Sequence, residues 1–597
     1  MRLPGPDLLP AAPPRTAPEA AARPGGASPF SLEKVPFSHR GAWLALNRLS
    51  AARARELGRQ PGLYLRTCHG GVPMADRQIF RLEPGCLKGS PAAFTDDATP
   101  ARLALRGSGH RLVEAAFSAP DTLRLRGRAC TLRLVGDPSG YDFIRPLRDG
   151  AWELNLFSRR IQLLVTSLAG RVAVRAPWEA QSCLAIELLL SPDPRHPDGW
   201  WEIELREFTS TCPERRPPLP FESAVVERGH EFEQWLQLAP PVPAPLRPAR
   251  ALAAYVQWSA LAAPAGRFIR EIMLMSKDRM PNIWSWDHCF NAVALAARHP
   301  RLAWDQWSIP FDFQNAHGAL PDSVNDHDIV WNFTKPPVHG WALREMMARG
   351  FRPDHAQLRQ ARAALARWTD WWLRDRDDDH DGLPQYNHGN DSGWDNASVF
   401  SAGTPVESPD LAALLVVQMD VLAELCERLA RAREAARWRA RATALVARLL
   451  EHSWRGDRFV ALRSGEEGGP PPGDSLIAFA PLLLGDRLPL AHREAMVRRL
   501  TGFLAPAGPA SEHPESALYH SDGYWRGPVW APAALLVHSG LLASGRPDVA
   551  ARLAADFCAT VAASGCAERF DAFTGAGQGD HAHTWTASVF LLLAASA

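Results

Sequence analysis

Residues 239–250, APPVPAPLRPAR, divide the chain. Five prolines in twelve positions stiffen the backbone and remove amide donors, so no regular element is expected to run through them. On the N-terminal side the apolar residues alternate, as in RLVEAAF (111–117), TLRLRG (122–127), CTLRLVG (130–136), WELNLF (152–157) and WWEIELREF (200–208). Such period-two runs, punctuated by turn residues, predict an antiparallel β-sandwich. On the C-terminal side the period becomes helical. Twelve helices are expected, at 249–263, 286–298, 302–315, 337–349, 353–374, 409–430, 434–452, 475–484, 491–504, 528–544, 547–563 and 584–597. Their connections alternate between short and long, which predicts an (α/α)6 toroid with a site built from the long loops at one end. The expected organisation is a tail over 1–30 that is rich in Ala and Pro and disordered, a sandwich over 31–238, a linker over 239–250 and a helical domain over 251–597.

Composition narrows the partners. The 597 residues carry 66 Lys+Arg against 65 Asp+Glu, a net charge of +1, which lacks the basic field of a nucleic-acid binder. No apolar run reaches the ~18 residues of a membrane span, and the first residues lack a signal-peptide pattern. Nine scattered cysteines without a CxxC pair suit reduced thiols in a cytoplasmic protein. The 22 tryptophans offer flat apolar faces with one donor each, suited to stacking on sugar rings as well as to core packing. A neutral small molecule or a glycan is the ligand class that fits.

Chemistry concentrates in the long loops. HGNDSGWDNASVF (388–400) sets Asp395 directly after Gly393 and Trp394 in a polar loop before a helix. MPNIWSWDHCFNA (280–292) brings Trp284, Trp286 and Asp287 to a helix start, where the carboxylate either serves the helix dipole or accepts from sugar hydroxyls. In 318–343, Lys335 and His339 either line a pocket or serve the core. HSDGYWRGPVWAP (520–532) crowds Tyr524, Trp525, Arg526 and Trp530 around a Gly-Pro turn. Residues 566–588, CAERFDAFTGAGQGDHAHTWTAS, follow Glu568 with a Gly-rich loop and Trp585. Asp377, Asp379 and Asp381, with the carbonyl of Leu383, have the alternating-oxygen spacing of a calcium loop. Gln385 stands where a further carboxylate would strengthen it, so the stretch is either a structural calcium site or a solvated acidic turn.

Together, WSWDHCFNA, LPDSVND, KPPVHGWAL, HGNDSGWDNASVF, VESPDLAALL, YWRGPVWAP and AERFDAFTGAGQGDHAHTWTAS resemble glycoside hydrolase family 63. That group holds processing α-glucosidase I, bacterial α-glucosidases and the mannosylglycerate or glucosylglycerate hydrolases; trehalases are more distantly similar. The resemblance implies an inverting, exo-acting α-glycosidase that needs no cofactor. It places the general acid on Asp395, the general base on Glu568 and sugar contacts on Trp286, Asp287, Tyr524, Trp525 and Arg526; the residue types of the loops add Trp284, Lys335, His339, Trp394, Trp530 and Trp585 as further candidate ligand contacts. Release of terminal glucose from a small oligosaccharide or glucoside is the expected reaction. A glycosylglycerate or trehalose is the alternative substrate, and an isomerase, phosphorylase or non-catalytic sugar binder is the alternative class. Burial beside Trp394 is expected to keep Asp395 protonated, and a wetter Gly-rich loop to keep Glu568 ionised.

Overall fold

The computed structural model describes residues 30–72, 77–88, 90–196, 199–214, 217–465 and 471–595. The expected disordered tail lies outside them except for Phe30, which is buried and stacks on Tyr255 at 4.3 Å between ring centroids.

The protein is multidomain, with a sheet-rich N-terminal region and a helical C-terminal part. Two antiparallel sheets form the first. The six-stranded one runs Leu44–Leu49, Gly62–Thr67, Gln78–Gly85, Thr131–Gly136, Ile186–Ser191, Arg171–Arg175. The eight-stranded one runs Phe94–Ala98, Leu103–Gly107, Leu112–Ala119, Thr122–Arg128, Trp200–Phe208, Ile161–Ala169, Trp152–Leu156, Phe143–Pro146. Alternation does what it should: Ile186, Leu188 and Leu190 of one sheet and Trp201, Ile203 and Leu205 of the other enter the same buried cluster. Glu202 and Glu204 face the opposite side of their strand and are only half-buried.

The linker is shorter than expected, and a helix precedes it. Phe221–Leu238 is helical and packs on the Leu112–Ala119 strand and on the helix Arg247–Ala260. Pro240, Pro241 and Pro243 lie in irregular chain and Pro245 in a single 3-10 turn, but Pro248 sits in the first turn of Arg247–Ala260. A first-turn proline removes an amide that has no helical acceptor there, so five prolines did not hold the helix off.

Six buried elements follow one another by contact in the C-terminal part. Asp287–Leu295 packs on His339–Ala348, that on Pro409–Arg428, that on the 3-10 segment Leu476–Arg487, that on Ala531–Ala543, that on Thr584–Ala594, and the last on Asp287–Leu295 again. Arg247–Ala260, Pro300–Asp312, His355–Asp375, Ala432–Ser453, Leu490–Leu500 and Pro547–Ser564 each pack against a member of that cycle. His355–Asp375 starts on a capping box: Asp354 Oδ1 accepts from Gln357 N at 2.8 Å and Gln357 Oε1 from Asp354 N at 2.9 Å. Two expected helices differ. The 475–484 segment is 3-10, with Pro481 inside it and Gly485 at φ 53° breaking it. The helix expected from 528 starts at Ala531, because Val529–Trp530 pairs with Arg569–Phe570 in a small sheet. Among the described residues no helix is long and apolar enough to cross a membrane.

Candidate active site

Asp391 shapes the loop that carries Asp395. Its buried carboxylate accepts from Thr334 N (3.1 Å), Asn387 N (3.1 Å), His388 N (3.2 Å) and the Arg376 guanidinium (3.2 Å), tying three chain segments together. The chain then turns at Gly393, φ 72°, where a Cβ would stand 2.6 Å from the Trp286 ring. No side chain fits there, and the same approach seats Trp394 4.6 Å from Trp525.

Asp395 emerges half-buried, with the Tyr524 hydroxyl donating to Oδ2 at 3.2 Å. Burial pushes its carboxyl above the ordinary range, against the nearby charge of Lys335 and the Tyr524 hydrogen bond. The next residue clamps two loops: Asn396 Nδ2 donates to Gly523 O (3.0 Å), Asn396 Oδ1 accepts from Trp525 N (2.9 Å), and Asn396 O accepts from Arg526 Nε (2.6 Å). Arg526, expected at the ligand, thus also holds the acid loop.

Glu568 is fixed by the small sheet. Its backbone N donates to Asp580 O at 2.6 Å, Asp580 N donates back to Glu568 Oε2 at 3.2 Å, and Trp585 Nε1 donates to Glu568 O at 3.1 Å. Gly579, at φ 76°, passes so close that a Cβ would lie 2.0 Å from Glu568 Oε2. The expectation of a wet environment is wrong: Glu568 is 7% exposed, and burial pushes its carboxyl upward. The Arg569 guanidinium, 3.5 Å from Oε2, and the Asp580 amide work the other way and favour the carboxylate.

Tyr524 connects the two acids. Its phenol is held well above the usual range by burial first and then by the negative charges of both Asp395 and Glu568. Arg569 lies over its ring at 5.3 Å and over Trp530 at 5.7 Å.

The tryptophans converge, mostly from behind. Trp525 stacks on Trp530 at 3.9 Å and 6°, and Trp286 stands 6.3 Å from Trp525 and 6.2 Å from Trp585. Trp530 is fully buried and donates to Tyr524 O at 2.9 Å, so it supports the turn. Trp284 is half-buried, in a strand paired with Ser323–Val324. Asp287 opens its helix buried, with Oδ2 lacking a hydrogen-bond partner. Its carboxyl is pushed up to about 8 by burial, reinforced by Asp322 and Asp395 and opposed by Lys335.

Lys335 pairs with Asp322 at 2.9 Å and donates to Asn390 O at 2.8 Å, which places it beside Asp287 and Asp395. His339 does not line a pocket. It is fully buried, its Nε2 is 2.7 Å from Ser285 O, and burial holds its imidazole down at about 4. The carboxylates of Asp377, Asp379 and Asp381 lie within 4.8 Å of one another, close enough to share a hard cation. Gln385 turns instead to Asp378 (2.6 Å) and Asn387 (3.0 Å), and Leu383 N donates to Asp381 Oδ1 at 2.7 Å. Asp322, Asn390, Asp391 and Asn396 were not singled out from the sequence. They are short polar residues in loops of short polar residues, and only their contacts distinguish them.

Residues 280–586 match the family described as the mannosylglycerate hydrolase MGH1-like glycoside hydrolase domain. A mannosylglycerate hydrolase of Rubrobacter radiotolerans is 25% identical over 403 residues, 52% of this chain and 90% of that protein. The GH63 mannosylglycerate hydrolase of Thermus thermophilus, solved in complex with glucose, superposes with a TM-score of 0.51 at 21% identity over 58% of this chain and 99% of its own. A bacterial glucoamylase complexed with acarbose gives a TM-score of 0.60 at 10% identity, and the match spans 97% of this chain and 96% of that one. The chain belongs to the MGH1-like group of glycoside hydrolase family 63, and it is a glycosidase.

Proposed function

We propose that the protein hydrolyses an α-linked hexosyl glycerate with inversion, Asp395 acting as general acid and Glu568 as general base. One observation carries the reading: two carboxyl groups from loops 173 residues apart in sequence both bear on the Tyr524 phenol, inside the segment that matches the family. The names of the relatives support a glycerate leaving group over the oligosaccharide expected from sequence. The cyclic contacts of the C-terminal helices support an (α/α)6 toroid, and the core shared by the two sheets supports a β-sandwich ahead of it.

In the reaction, Asp395 gives its proton to the glycosidic oxygen as the C1–O bond breaks. Glu568 takes a proton from a water that attacks C1 on the opposite face, so one hydroxyl forms on C1 and the aglycone leaves as an alcohol. The opposing environments suit those roles. Burial raises both carboxyls, but Glu568 also keeps a guanidinium and an amide beside its oxygen. Trp286, Asp287, Trp394, Tyr524, Trp525, Arg526 and Trp585 would form or back the sugar subsite, with the unpaired Asp287 Oδ2 available to a sugar hydroxyl. Asp377, Asp379 and Asp381 would hold a structural calcium. The nine unbridged cysteines support a cytoplasmic setting.

The test is a panel of α-glucosylglycerate, α-mannosylglycerate, trehalose and maltose, with the released anomer followed by NMR for wild type, Asp395→Asn and Glu568→Gln. Inversion on a glycosylglycerate, lost in both variants, is expected. A retained anomer, or full activity in both variants, refutes the mechanism, and turnover confined to maltose refutes the substrate.

A further inference from the structure

A second polar site lies where the N-terminal sheets meet the loops of the helical part. A cavity of about 250 Å³ is walled by Asn47, Arg53, Arg66, Arg77, Asp278 and Arg279, with apolar residues completing it. Arg66 and Gln78 are cross-strand partners in the six-stranded sheet, and Thr67 N donates to Arg77 O at 3.0 Å. Arg77 thus lies diagonally across from Arg66, and both line the cavity.

The charges there do not cancel. Arg53 is occupied by Glu56 at 2.6 Å. Arg66 reaches Asp278 Oδ1 at 3.2 Å, and Arg279 Nε stands 3.6 Å from the same carboxylate. Arg77 is 6% exposed, its buried Nε has no hydrogen-bond partner, and no ion pair joins it to another described residue. Asp326, the next carboxylate, is taken by His69 (2.7 Å) and Gly70 N (2.9 Å). Arg66 and Arg279 thus share the Asp278 carboxylate, and Arg77, without a partner, is buried in the cavity wall. An unpaired charge withdrawn from water is destabilising unless something compensates it. Burial and the neighbouring Arg66 already drag the Arg77 guanidinium down to about 9.

We propose that Arg66 and Arg77, with Arg279, form an oxyanion-binding pocket for a carboxylate or phosphate group, contributed largely by the N-terminal sheets. A planar guanidinium fork matches either group with two parallel N–H···O bonds. The pocket adjoins the chemistry through one residue: Arg279 N donates to Asp580 Oδ2 at 2.9 Å, and Asp580 N donates to Glu568 Oε2 at 3.2 Å. The anion either belongs to the leaving group or is a free ion that acts on the Glu568 loop from behind. The first source rests on the proposed function; the pocket itself does not.

The experiment titrates the full chain with inorganic phosphate by calorimetry, for wild type, Arg77→Leu and Arg77→Lys, and measures KM for α-glucosylglycerate and for uncharged α-glucosylglycerol. Wild type is expected to bind phosphate, Arg77→Leu about tenfold or more weakly, and Arg77→Lys in between. In phosphate-free buffer Arg77→Leu is expected to melt at or above the wild-type temperature, since it removes an uncompensated charge. If the anion belongs to the leaving group, Arg77→Leu raises KM for the glycerate about tenfold and leaves the glycerol substrate unchanged. A free anion shifts both substrates equally. Wild type that does not bind phosphate, or Arg77→Leu that binds it as well as wild type, overturns the proposal whichever substrate the enzyme cleaves.

Discussion

Gly579→Ala isolates positioning from chemistry, because it adds one methyl group and removes no charged group. The native φ of 76° costs a non-glycine residue about 1–2 kcal/mol. The larger effect is steric. The new Cβ would begin 2.0 Å from Glu568 Oε2, a carbon–oxygen approach that real structures do not show below 3.0 Å, so the carboxylate must retreat by about 1 Å. Retreat also loosens its 3.2 Å bond from Asp580 N. A misplacement of about 1 Å at a reacting group costs on the order of 10²-fold in rate. The expected result is kcat down by about 10²-fold, KM changed by less than about threefold, and an unfolding midpoint only slightly lowered. Steady-state hydrolysis with far-UV circular dichroism on the same sample checks all three. Wild-type kcat in a folded Gly579→Ala protein would mean that Glu568 is not the base, or that its position is immaterial.

Asp391→Ala removes a buried carboxylate that receives four donors and leaves Arg376 unpaired. It should lower urea stability by about 3–5 kcal/mol and abolish turnover, and an unchanged midpoint would contradict its role in shaping the loop. Asn396→Ala cuts two of the three bonds between the Asp395 loop and the Tyr524 turn and should reduce kcat about tenfold or more, with stability lowered by about 1 kcal/mol per lost bond. For Asp287 the native carboxyl titrates at about 8 against an ordinary 3.8, so the native state binds the extra proton between those values and stability falls as pH rises from about 4 to 8. Asp287→Asn should flatten that slope, its advantage over wild type growing toward pH 8 in thermal melts; parallel curves would contradict it. Adding calcium to chelator-treated protein should raise the melting temperature, and Asp379→Ala should abolish the increase.

Much of the fold was legible because it rests on periodicity. Ile186, Leu188 and Leu190 alternate with exposed or half-buried neighbours, and the Pro409–Arg428 helix begins at the proline that its sequence announces. Phe221–Leu238 was not legible. Its charged residues Glu222, Glu227, Arg228, Glu231 and Glu233 leave only Phe221, Ala224, Phe232 and Trp235 buried, too sparse a stripe to stand out from a polar connection. Residue types also located the carboxylates, yet they misjudged Glu568. Glycines suggested solvent, whereas Gly579 is small so that backbone can press against the carboxylate, and the absence of a side chain there is what allows the residue to be buried.

Close approach of that kind explains why the two acids can differ in role while both are raised by burial. Asp395 is reached by a neutral phenol and faces a lysine already paired to Asp322; both oppose the burial that raises it without overcoming it. Glu568 is gripped through its own backbone by Asp580 and Trp585, and its carboxylate oxygen meets an amide and a guanidinium. Donors aimed at an oxygen favour its charged form, while burial alone favours the neutral one. In the proposed mechanism the protonated acid and the ionised base would be distinguished by what touches each oxygen, not by depth in the fold.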